Sequence, residues 1–397
     1  MADPGPLQGV RVLDFTWVLA GPYAARILAD LGAEVIKVQS MATARGATDQ
    51  NDTGYFNTYN RNKLGVTINM RRPEGIEVAR SIAAVSDIVI DNFSSRVVRQ
   101  WGMDYDTLVK IKPDVICCSI SGMGASGPWM NYVSFGPTAQ ALTGFARLTA
   151  FPDEHPAGFG YSYSDHMAGT VAATAVLAAL EYRARTGRGQ YIDTSQLEAT
   201  APLIGPALLD HSVNGVNPLP PGNARLYEAY APHGAFPCQG EDRWIAIAVT
   251  NDEQWESLRD AMGNPNWASG RFAAAADRVA SRLELEAKVA EWTGGQSAEE
   301  LAARLCAAGI PAGLVQNAED LIEHDEQLKH RGFYTSSERE DLGTVRFDGF
   351  PAIFSGPGFA VRRPAPRLGE HNDYVFGEVL GLDRATIDRL VADGVLE

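Results

Sequence analysis

The amino-acid sequence predicts an α/β fold: a doubly wound, mostly parallel, Rossmann-like sheet in a large domain, with a smaller α/β domain beside it. Strand-like and helix-like runs alternate through the first two hundred residues, and the turns between them are short. Such alternation is typical of parallel strands covered by helices on both faces. The pattern breaks at NGVNPLPPGNA (214–224), a Pro-, Gly- and Asn-rich segment that indicates a linker.

The first strand, helix and second strand are predicted within Val12–Val38. The turn between the first strand and its helix reads Leu19-Ala20-Gly21-Pro22-Tyr23, so it lacks the Gly-x-Gly-x-x-Gly pattern of a dinucleotide-binding loop. The predicted strands of the large domain are Arg11–Thr16, Glu34–Gln39, Val66–Met70, Ile88–Phe93, Val115–Ser121 and Gln190–Thr194. Its predicted helices include Glu74–Val85, Tyr105–Ile111 and an Ala-rich helix, His166–Arg185, followed by a Gly stop.

A second unit follows the linker, with strands and helices of its own. Its predicted elements are Trp244–Val249, Asp252–Ala261, Arg282–Glu291, Ala298–Ala308 and Ala312–Val315. After His330 come short strands near Tyr334 and Val345–Phe347, Pro-rich turns and a helical tail, Asp373–Ala392. We therefore predict four segments: 1–213 in the large domain, 214–228 as linker, 229–325 as the small domain, and 326–397 as a return linker that completes the large domain.

Composition excludes several classes of function. The chain has 397 residues and a formal net charge of −15, which argues against nucleic acid as a partner. No apolar run is long enough to span a membrane, and the N-terminus lacks a signal-peptide pattern. The four cysteines show no disulfide spacing, and no metal-ligand motif is found. We expect a cytoplasmic protein with reduced thiols, no metal and no membrane partner.

A set of motifs extends over nearly the whole chain, beginning with LDFTWVLAGPYAARILADLGAEVIKV at 13–38. The others are Asn60-Arg61-Asn62-Lys63, Arg72-Pro73-Glu74-Gly75, Ile88–Phe93, Arg188–Asp193 and Leu368–His371. Their order and spacing resemble the class III CoA-transferases, whose relatives include the acyl-CoA racemases. The resemblance implies two chains interlocked as rings in a dimer, with coenzyme A or acyl-CoA as substrate, a small carboxylic acid as partner and no permanently bound cofactor.

The candidate nucleophile is Asp165, in GYSYSDHMAG at 160–169. An Asp at the start of a long helix is favoured as an N-cap whatever the function, so its position alone indicates capping. The resemblance implies the catalytic role instead. A carboxylate can attack a thioester to give an acyl-aspartyl anhydride, and CoA thiolate then gives an aspartyl thioester. Backbone amides at the helix start would stabilise the charge.

Two alternatives stay open. An α-methylacyl-CoA racemase or isomerase needs a base and an acid on opposite faces of the α-carbon, and members of that branch use a histidine ahead of the aspartate. No histidine lies between Cys118 and Phe151, which disfavours this branch. The chain could also be a non-catalytic CoA-binding subunit of a heteromeric transferase. The presence of Asp165 argues against that role.

The resemblance also implies which residues contact CoA and the acyl group. Ala20, Arg71, Asn92 and Phe93 match family positions that line the CoA channel. Gln39, Ser40 and Gln100 differ from the residues that family members commonly have there, and these differences concern the recognition of adenine and phosphate. Basic residues suit the phosphates, and the further candidates are Arg61, Lys63 and Arg96. The predicted substrate pocket consists of Trp17, Phe135, Tyr161, Tyr163 and Gly234, the last in a Gly-containing loop that resembles a mobile lid. These aromatic side chains favour a bulky or aromatic acid, such as a benzylsuccinate-like one.

Overall fold

The computed structural model describes residues 5–40, 53–152, 154–224 and 230–397. It divides into two compact units, the first comprising Met1–Phe145, Gly158–Gly205 and Gln327–Glu397, and the second Ala146–Ala157 and Pro206–Glu326. Residues 146–157 and 206–213 belong to the second unit because most of their contacts lie there, whereas the sequence predicts them within the large domain. Residues 225–228 of the predicted linker lie outside the described residues.

A six-stranded parallel sheet forms the centre of the first unit. Its strands are β1 (Arg11–Asp14), β2 (Glu34–Gln39), β3 (Leu64–Thr67), β4 (Ile88–Asp91), β5 (Ile116–Ser121) and β6 (Tyr191–Ser195). The spatial order is β3-β2-β1-β4-β5-β6, so the order reverses between β1 and β4. In open α/β sheets, ligands bind beyond the carboxyl ends of the strands at such a reversal. This confirms the predicted parallel α/β sheet and indicates which edge carries the site.

Helices cover both faces of this sheet. The helices of the first unit are α1 (Ala20–Asp30), α2 (Gly54–Asn60), α3 (Pro73–Ala84), α4 (Ser95–Trp101), α5 (Tyr105–Ile111), α6 (Gly136–Leu142), α8 (Tyr163–Thr186) and α9 (Gln196–Thr200), with a 3₁₀ turn at Ala201–Ile204. Two further helices, α7 (Phe145–Leu148) and α10 (Gly205–Asn214), have most of their residues in the second unit. Successive strand residues point to opposite faces. Leu13 therefore packs in the core beneath α3 and α5, and Val12 in the core beneath α1 and α8.

The second unit has its own small sheet and core. Antiparallel strands β7 (His233–Pro237), β8 (Trp244–Ala248) and β9 (Ala312–Leu314) pack against α11 (Asp252–Ala261), α12 (Ala275–Ala280), α13 (Arg282–Thr293) and α14 (Ala298–Ala307). Short turns of 3₁₀ helix lie at Asn266–Ala268 and Gly270–Phe272, and a π-helical turn lies at Asp320–His324. Trp255 and Leu285 are completely buried in this core, which excludes water from the sheet face they cover.

The C-terminal part of the chain returns to the first unit. It contains α15 (Glu326–His330), an antiparallel hairpin of β10 (Tyr334–Arg339) and β11 (Gly343–Asp348), a π-helical segment at Asp373–Val379, and α16 (Arg384–Ala392). The single predicted helical tail is therefore wrong, because Gly381 with φ +69° breaks it into two pieces. No helix within the described ranges is both long and apolar enough to cross a membrane.

Candidate active site

A cavity of about 670 Å³ opens at the carboxyl edge of the sheet, beside the reversal in strand order. All its lining residues belong to the first unit. Its walls come from the segments that follow β1, β4, β5 and β6, together with α2, α6 and the start of α8. Lining side chains include Trp17, Val18, Tyr55, Asn92, Phe93, Arg96, Ser121, Tyr132, Phe135, Ser162, Asp165 and Gln196. Five of the sequence-predicted site residues besides Asp165 therefore meet here: Trp17, Asn92, Phe93, Arg96 and Phe135.

Asp165 lies in the first turn of α8, with only 7% of its surface exposed. The helix begins at Tyr163 rather than at the predicted His166, so Asp165 is not the N-cap. That position belongs to Ser162, whose side chain makes no capping bond to the helix backbone. The carboxylate is thus available for a role other than capping, close to the free N–H groups and the positive end of the helix dipole.

Three donors surround the Asp165 carboxylate. Gln196 donates from Nε2 to Oδ1 at 2.9 Å, Ser162 donates from Oγ to Oδ2, and the backbone N–H of Ala20 faces the same group. Burial raises the pKa of Asp165 above its ordinary value, although these donors and the adjacent His166 act in the opposite direction. The result is a desolvated carboxylate that is held in one orientation, which is what a carboxylate nucleophile requires.

The pH dependence of activity should report the pKa of Asp165, which burial raises and its hydrogen-bond donors lower. A carboxylate nucleophile acts in its ionised form, so for this candidate we expect kcat/KM to fall as pH is lowered through a pKa that lies above the usual range of Asp. In Ser162→Ala the carboxylate loses one stabilising donor, its pKa rises further, and the acidic limb of the profile moves to higher pH. Initial rates measured across pH test this, with the exposed Ser212→Ala as the control. An acidic limb at the same pH in Ser162→Ala and in the wild type would contradict the prediction.

Asn92 holds the segment after β1 in place. Its side-chain amide accepts from the Trp17 N–H at 2.9 Å and donates to the Trp17 carbonyl at 2.8 Å. The next residue, Val18, has φ +62°, a conformation that costs a β-branched residue roughly 1–3 kcal/mol. The ring of Phe93 stacks on Trp17 with centroids 6.0 Å apart. Both polar ends of the Asn92 amide are therefore engaged in positioning this segment rather than pointing freely into the cavity.

Two glycines allow close approaches around Asp165. A Cβ on Gly136, the first residue of α6, would collide with Ser162 Oγ and Asp165 Oδ2. On the other side of the helix, a Cβ on Gly169 would lie 2.7 Å from the carbonyl oxygen of Ala20. Helices α8 and α1 therefore touch backbone to backbone, which brings the Ala20 amide to the Asp165 carboxylate.

Arg61 and Lys63 do not fit their predicted role as CoA ligands. Arg61 is 1% exposed and forms ion pairs with Asp30 and Asp348. Lys63 is fully buried, and its ammonium donates to Asp14 at 2.9 Å and to the Pro22 carbonyl at 3.1 Å. Their charges are already satisfied inside the protein, and a phosphate could not reach them without breaking these pairs. Both residues therefore stabilise the fold through buried ion pairs.

Lys63→Met tests this structural role. The change removes the ion-pair partner of the fully buried Asp14 and leaves the more weakly acting Lys37 as its nearby cation, so we expect the free energy of unfolding to fall by about 3–5 kcal/mol. Urea unfolding measures the effect, and the exposed Lys110→Met, which we expect to stay within about 0.5 kcal/mol, is the control. A variant of unchanged stability whose KM for acyl-CoA rises would instead support phosphate binding by Lys63.

Of the other predicted site residues, Arg96 lies at the cavity and Arg71, Tyr161, Tyr163 and Gly234 do not line it. Arg96 is exposed at the cavity on α4 and forms no ion pair with a described residue, whereas the exposed Arg71 follows β3 away from the lining. Tyr161 and Tyr163 do not line the cavity: the Tyr161 hydroxyl bonds to that of Tyr59 at 2.9 Å, and Tyr163 packs against Phe145. Gly234 lies on β7 in the second unit.

Sequence reasoning missed several residues around the carboxylate. Tyr55 lines the cavity, and burial together with the charge of Asp165 raises the pKa of its hydroxyl to about 12. His166 donates from Nδ1 to the Ser162 carbonyl at 2.8 Å, and its Nε2 bonds to the Tyr59 hydroxyl at 3.1 Å. Gln196 was also missed, although its place directly after a predicted strand was a usable signal. Across the described ranges, no group of three or more His, Cys, Asp or Glu side chains could hold a metal ion.

Comparison with known proteins identifies the class. Residues 7–372 match CoA-transferase family III. Succinyl-CoA–D-citramalate CoA-transferase from Chloroflexus aurantiacus is 31% identical, over 99% of this chain and 98% of its own. The beta subunit of succinyl-CoA–L-malate CoA-transferase from the same organism is 30% identical, over 98% of each chain. A CaiB/BaiF family crystal structure from Brucella suis is 31% identical with a TM-score of 0.86, covering 95% of this chain and 100% of that one.

The protein therefore belongs to CoA-transferase family III, and it is an enzyme of that class. The match extends over both structural units, which confirms the resemblance inferred from the dispersed motifs.

Proposed function

We propose that this enzyme moves CoA between carboxylic acids through covalent intermediates on Asp165. The carboxylate attacks the thioester carbonyl of the donor acyl-CoA, and the carbon–sulfur bond breaks to give an acyl-aspartyl anhydride and CoA thiolate. The thiolate then attacks the Asp165 carbonyl carbon. The donor acid leaves as a carboxylate, and an aspartyl-CoA thioester remains.

The second half reverses these steps with a different acid. The acceptor carboxylate attacks the aspartyl thioester, which releases CoA thiolate and forms a new mixed anhydride. The thiolate attacks the acceptor's carbonyl carbon, which gives the new acyl-CoA and restores the Asp165 carboxylate. No step needs a net proton transfer or a redox partner.

The observation that carries this proposal is the buried Asp165 carboxylate in the cavity wall, with its three donors. When thiolate or carboxylate attacks the Asp165 carbonyl carbon, negative charge develops on the oxygen that Gln196 Nε2 or the Ala20 N–H already faces. Preorganised donors of this kind stabilise a developing oxyanion without reorganisation at the moment of reaction. The same donors orient the nucleophile and stabilise the charge that forms on it.

The donor we propose is succinyl-CoA or a close analogue, since the names of both transferase relatives contain succinyl-CoA. The acceptor is a small carboxylic acid. An aromatic acid, such as a benzylsuccinate-like one, is favoured by the aromatic rings that line the cavity: Trp17, Tyr55, Phe93, Tyr132 and Phe135. For CoA, we propose that Arg96 binds phosphate. We also propose that Ala20, at the start of α1, and Asn92 and Phe93, which follow β4, border the pantetheine arm. The exposed Arg71 remains a candidate for an outer phosphate.

We propose an interlocked dimer as the functional assembly. Both a homodimer and a heteromer with a related subunit are compatible with the sequence. The heteromer is favoured by one observation: the malate-specific relative is named as a beta subunit. The mass of the purified protein, measured with and without a co-expressed related chain, distinguishes them.

Trapping the covalent intermediate tests the proposed function. The enzyme is incubated with succinyl-CoA and treated with hydroxylamine, which converts an activated aspartyl carbonyl into a hydroxamate. Peptide mass spectrometry should find the modification on Asp165 in the wild type, and none in Asp165→Ala. CoA binding without any adduct would support the non-catalytic subunit. Solvent deuterium entering the α-carbon of an acyl-CoA without CoA transfer would support the racemase.

A further inference from the structure

Gln196 has a buried acceptor that no described residue satisfies. Its Nε2 must face Asp165, because an ionised carboxylate only accepts hydrogen bonds. The amide oxygen Oε1 consequently points elsewhere, and it is buried without a hydrogen-bond partner. The residue is 7% exposed and lines the cavity. An unpaired buried acceptor destabilises the fold, so its presence beside Asp165 requires an explanation.

A second unpaired polar atom lies on the adjacent strand. Ser121 ends β5, and its Cα partner across the sheet is Ser195, the residue directly before Gln196. The Ser121 hydroxyl is also buried without a partner, and Ser121 lines the same cavity. The carboxyl ends of β5 and β6 therefore hold one unpaired acceptor and one unpaired hydroxyl within the cavity wall that also contains Asp165.

This pair matches the hydrogen-bonding capacity of a single alcohol. A substrate hydroxyl can donate to Gln196 Oε1 and accept from the Ser121 O–H, which would satisfy both atoms at once. The oxygen and nitrogen of the Gln196 amide are attached to the same carbon, and the nitrogen donates a hydrogen bond to Asp165. A substrate hydroxyl bound to the amide oxygen would therefore lie close to the carboxyl carbon of Asp165. A carboxylate fits between these two atoms less well than a hydroxyl does, because it would have no proton to offer to Oε1.

We infer that Gln196 and Ser121 bind a hydroxyl group of the acceptor acid, so that the enzyme transfers CoA to hydroxy acids. This inference rests on the proposed function, since it concerns the acid that reacts at Asp165. A site that hydrogen-bonds a substrate hydroxyl discriminates strongly against the analogue without it, because the protein groups are then left unpaired. A bulky or aromatic body on the acid is compatible with the same pair.

Matched acids test the inference. With succinyl-CoA as donor, kcat/KM is measured for acceptors that differ by one hydroxyl: malate against succinate, with isotope-labelled succinate to follow exchange, and 3-hydroxybutyrate against butyrate. We expect the wild type to favour the hydroxylated member of at least one pair by about 10²-fold or more. Gln196→Met and Ser121→Ala should each reduce that preference at least about 10-fold. The exposed Gln327→Met is the matched control for Gln196→Met and should keep it.

Two results would overturn the inference. One is a wild-type enzyme that transfers CoA with no preference for the hydroxylated acid in either pair. The other is a fall in kcat/KM in both variants that is equal for the hydroxylated and the unhydroxylated acid of a pair. That result would mean that Gln196 Oε1 and Ser121 Oγ bind a group common to all substrates, such as a pantetheine amide. Failure of the proposed function looks different, because no CoA would then be transferred to any acid and no adduct would form on Asp165.

Discussion

Asp165→Asn is expected to lower kcat for CoA transfer by about 10⁴-fold or more, because the amide cannot attack a thioester as a carboxylate does. Asparagine has nearly the same shape as aspartate, and it can still accept from Gln196 Nε2. The fold and the binding of acyl-CoA should therefore survive. The loss should appear in kcat, with little change in the dissociation constant for CoA.

The measurement combines steady-state transfer rates with calorimetric titration of CoA. Asp277→Asn is the matched control, since it makes the same chemical change at an exposed carboxylate of the second unit. We expect that variant to keep full activity. An Asp165→Asn enzyme with more than about a tenth of wild-type kcat, shown by mass spectrometry to be free of deamidation, would contradict the covalent mechanism.

Gly136→Ala is expected to lower kcat by about 10²-fold although it replaces no reacting group. The added methyl would collide with Ser162 Oγ and Asp165 Oδ2, so the carboxylate must move. Displacing a reacting group by about 1 Å is enough for a loss of this size. The trapped adduct on Asp165 should still form, only more slowly, because the nucleophile itself remains.

Gly54→Ala is the matched control for this change. Gly54 is also the first residue of a helix, α2, and a Cβ placed there meets no atom of the described residues within 4 Å. Both variants gain similar helix propensity, so a difference between their rates reports the collision with Asp165. Equal rates in the two variants would mean that the carboxylate accommodates the methyl group and that its position is not critical.

The sheet was predictable because its strands carry strong local signals. Parallel strands buried on both faces appear as short apolar runs, and Glu34–Gln39 agrees with the structure at both ends. Tyr105–Ile111 agrees equally well, since Asp104 caps it by accepting from Thr107. The start of α8 was misjudged by three residues, because both Ser162 and Asp165 suit a helix N-terminus.

The polar contacts of the site were harder to predict. Arg61 and Lys63 appear in the sequence as a basic cluster, but whether a cation is paired or free depends on distant residues such as Asp14 and Asp348. Likewise, Gln196 meets Asp165 only because β6 ends beside the start of α8. These contacts are long-range, and local pattern in a single sequence does not contain them.

The backbone contact between α8 and α1 at Gly169 has a consequence for engineering this enzyme toward other acids. The Asp165 carboxylate and the Ala20 amide lie on two helices fixed against each other, so their relative position depends on backbone packing and not on the aromatic side chains that line the cavity. Those side chains include Tyr132 and Phe135, which precede α6 and are half exposed or more. Libraries directed at those positions should change which acid is accepted while the acyl-transfer chemistry is inherited unaltered.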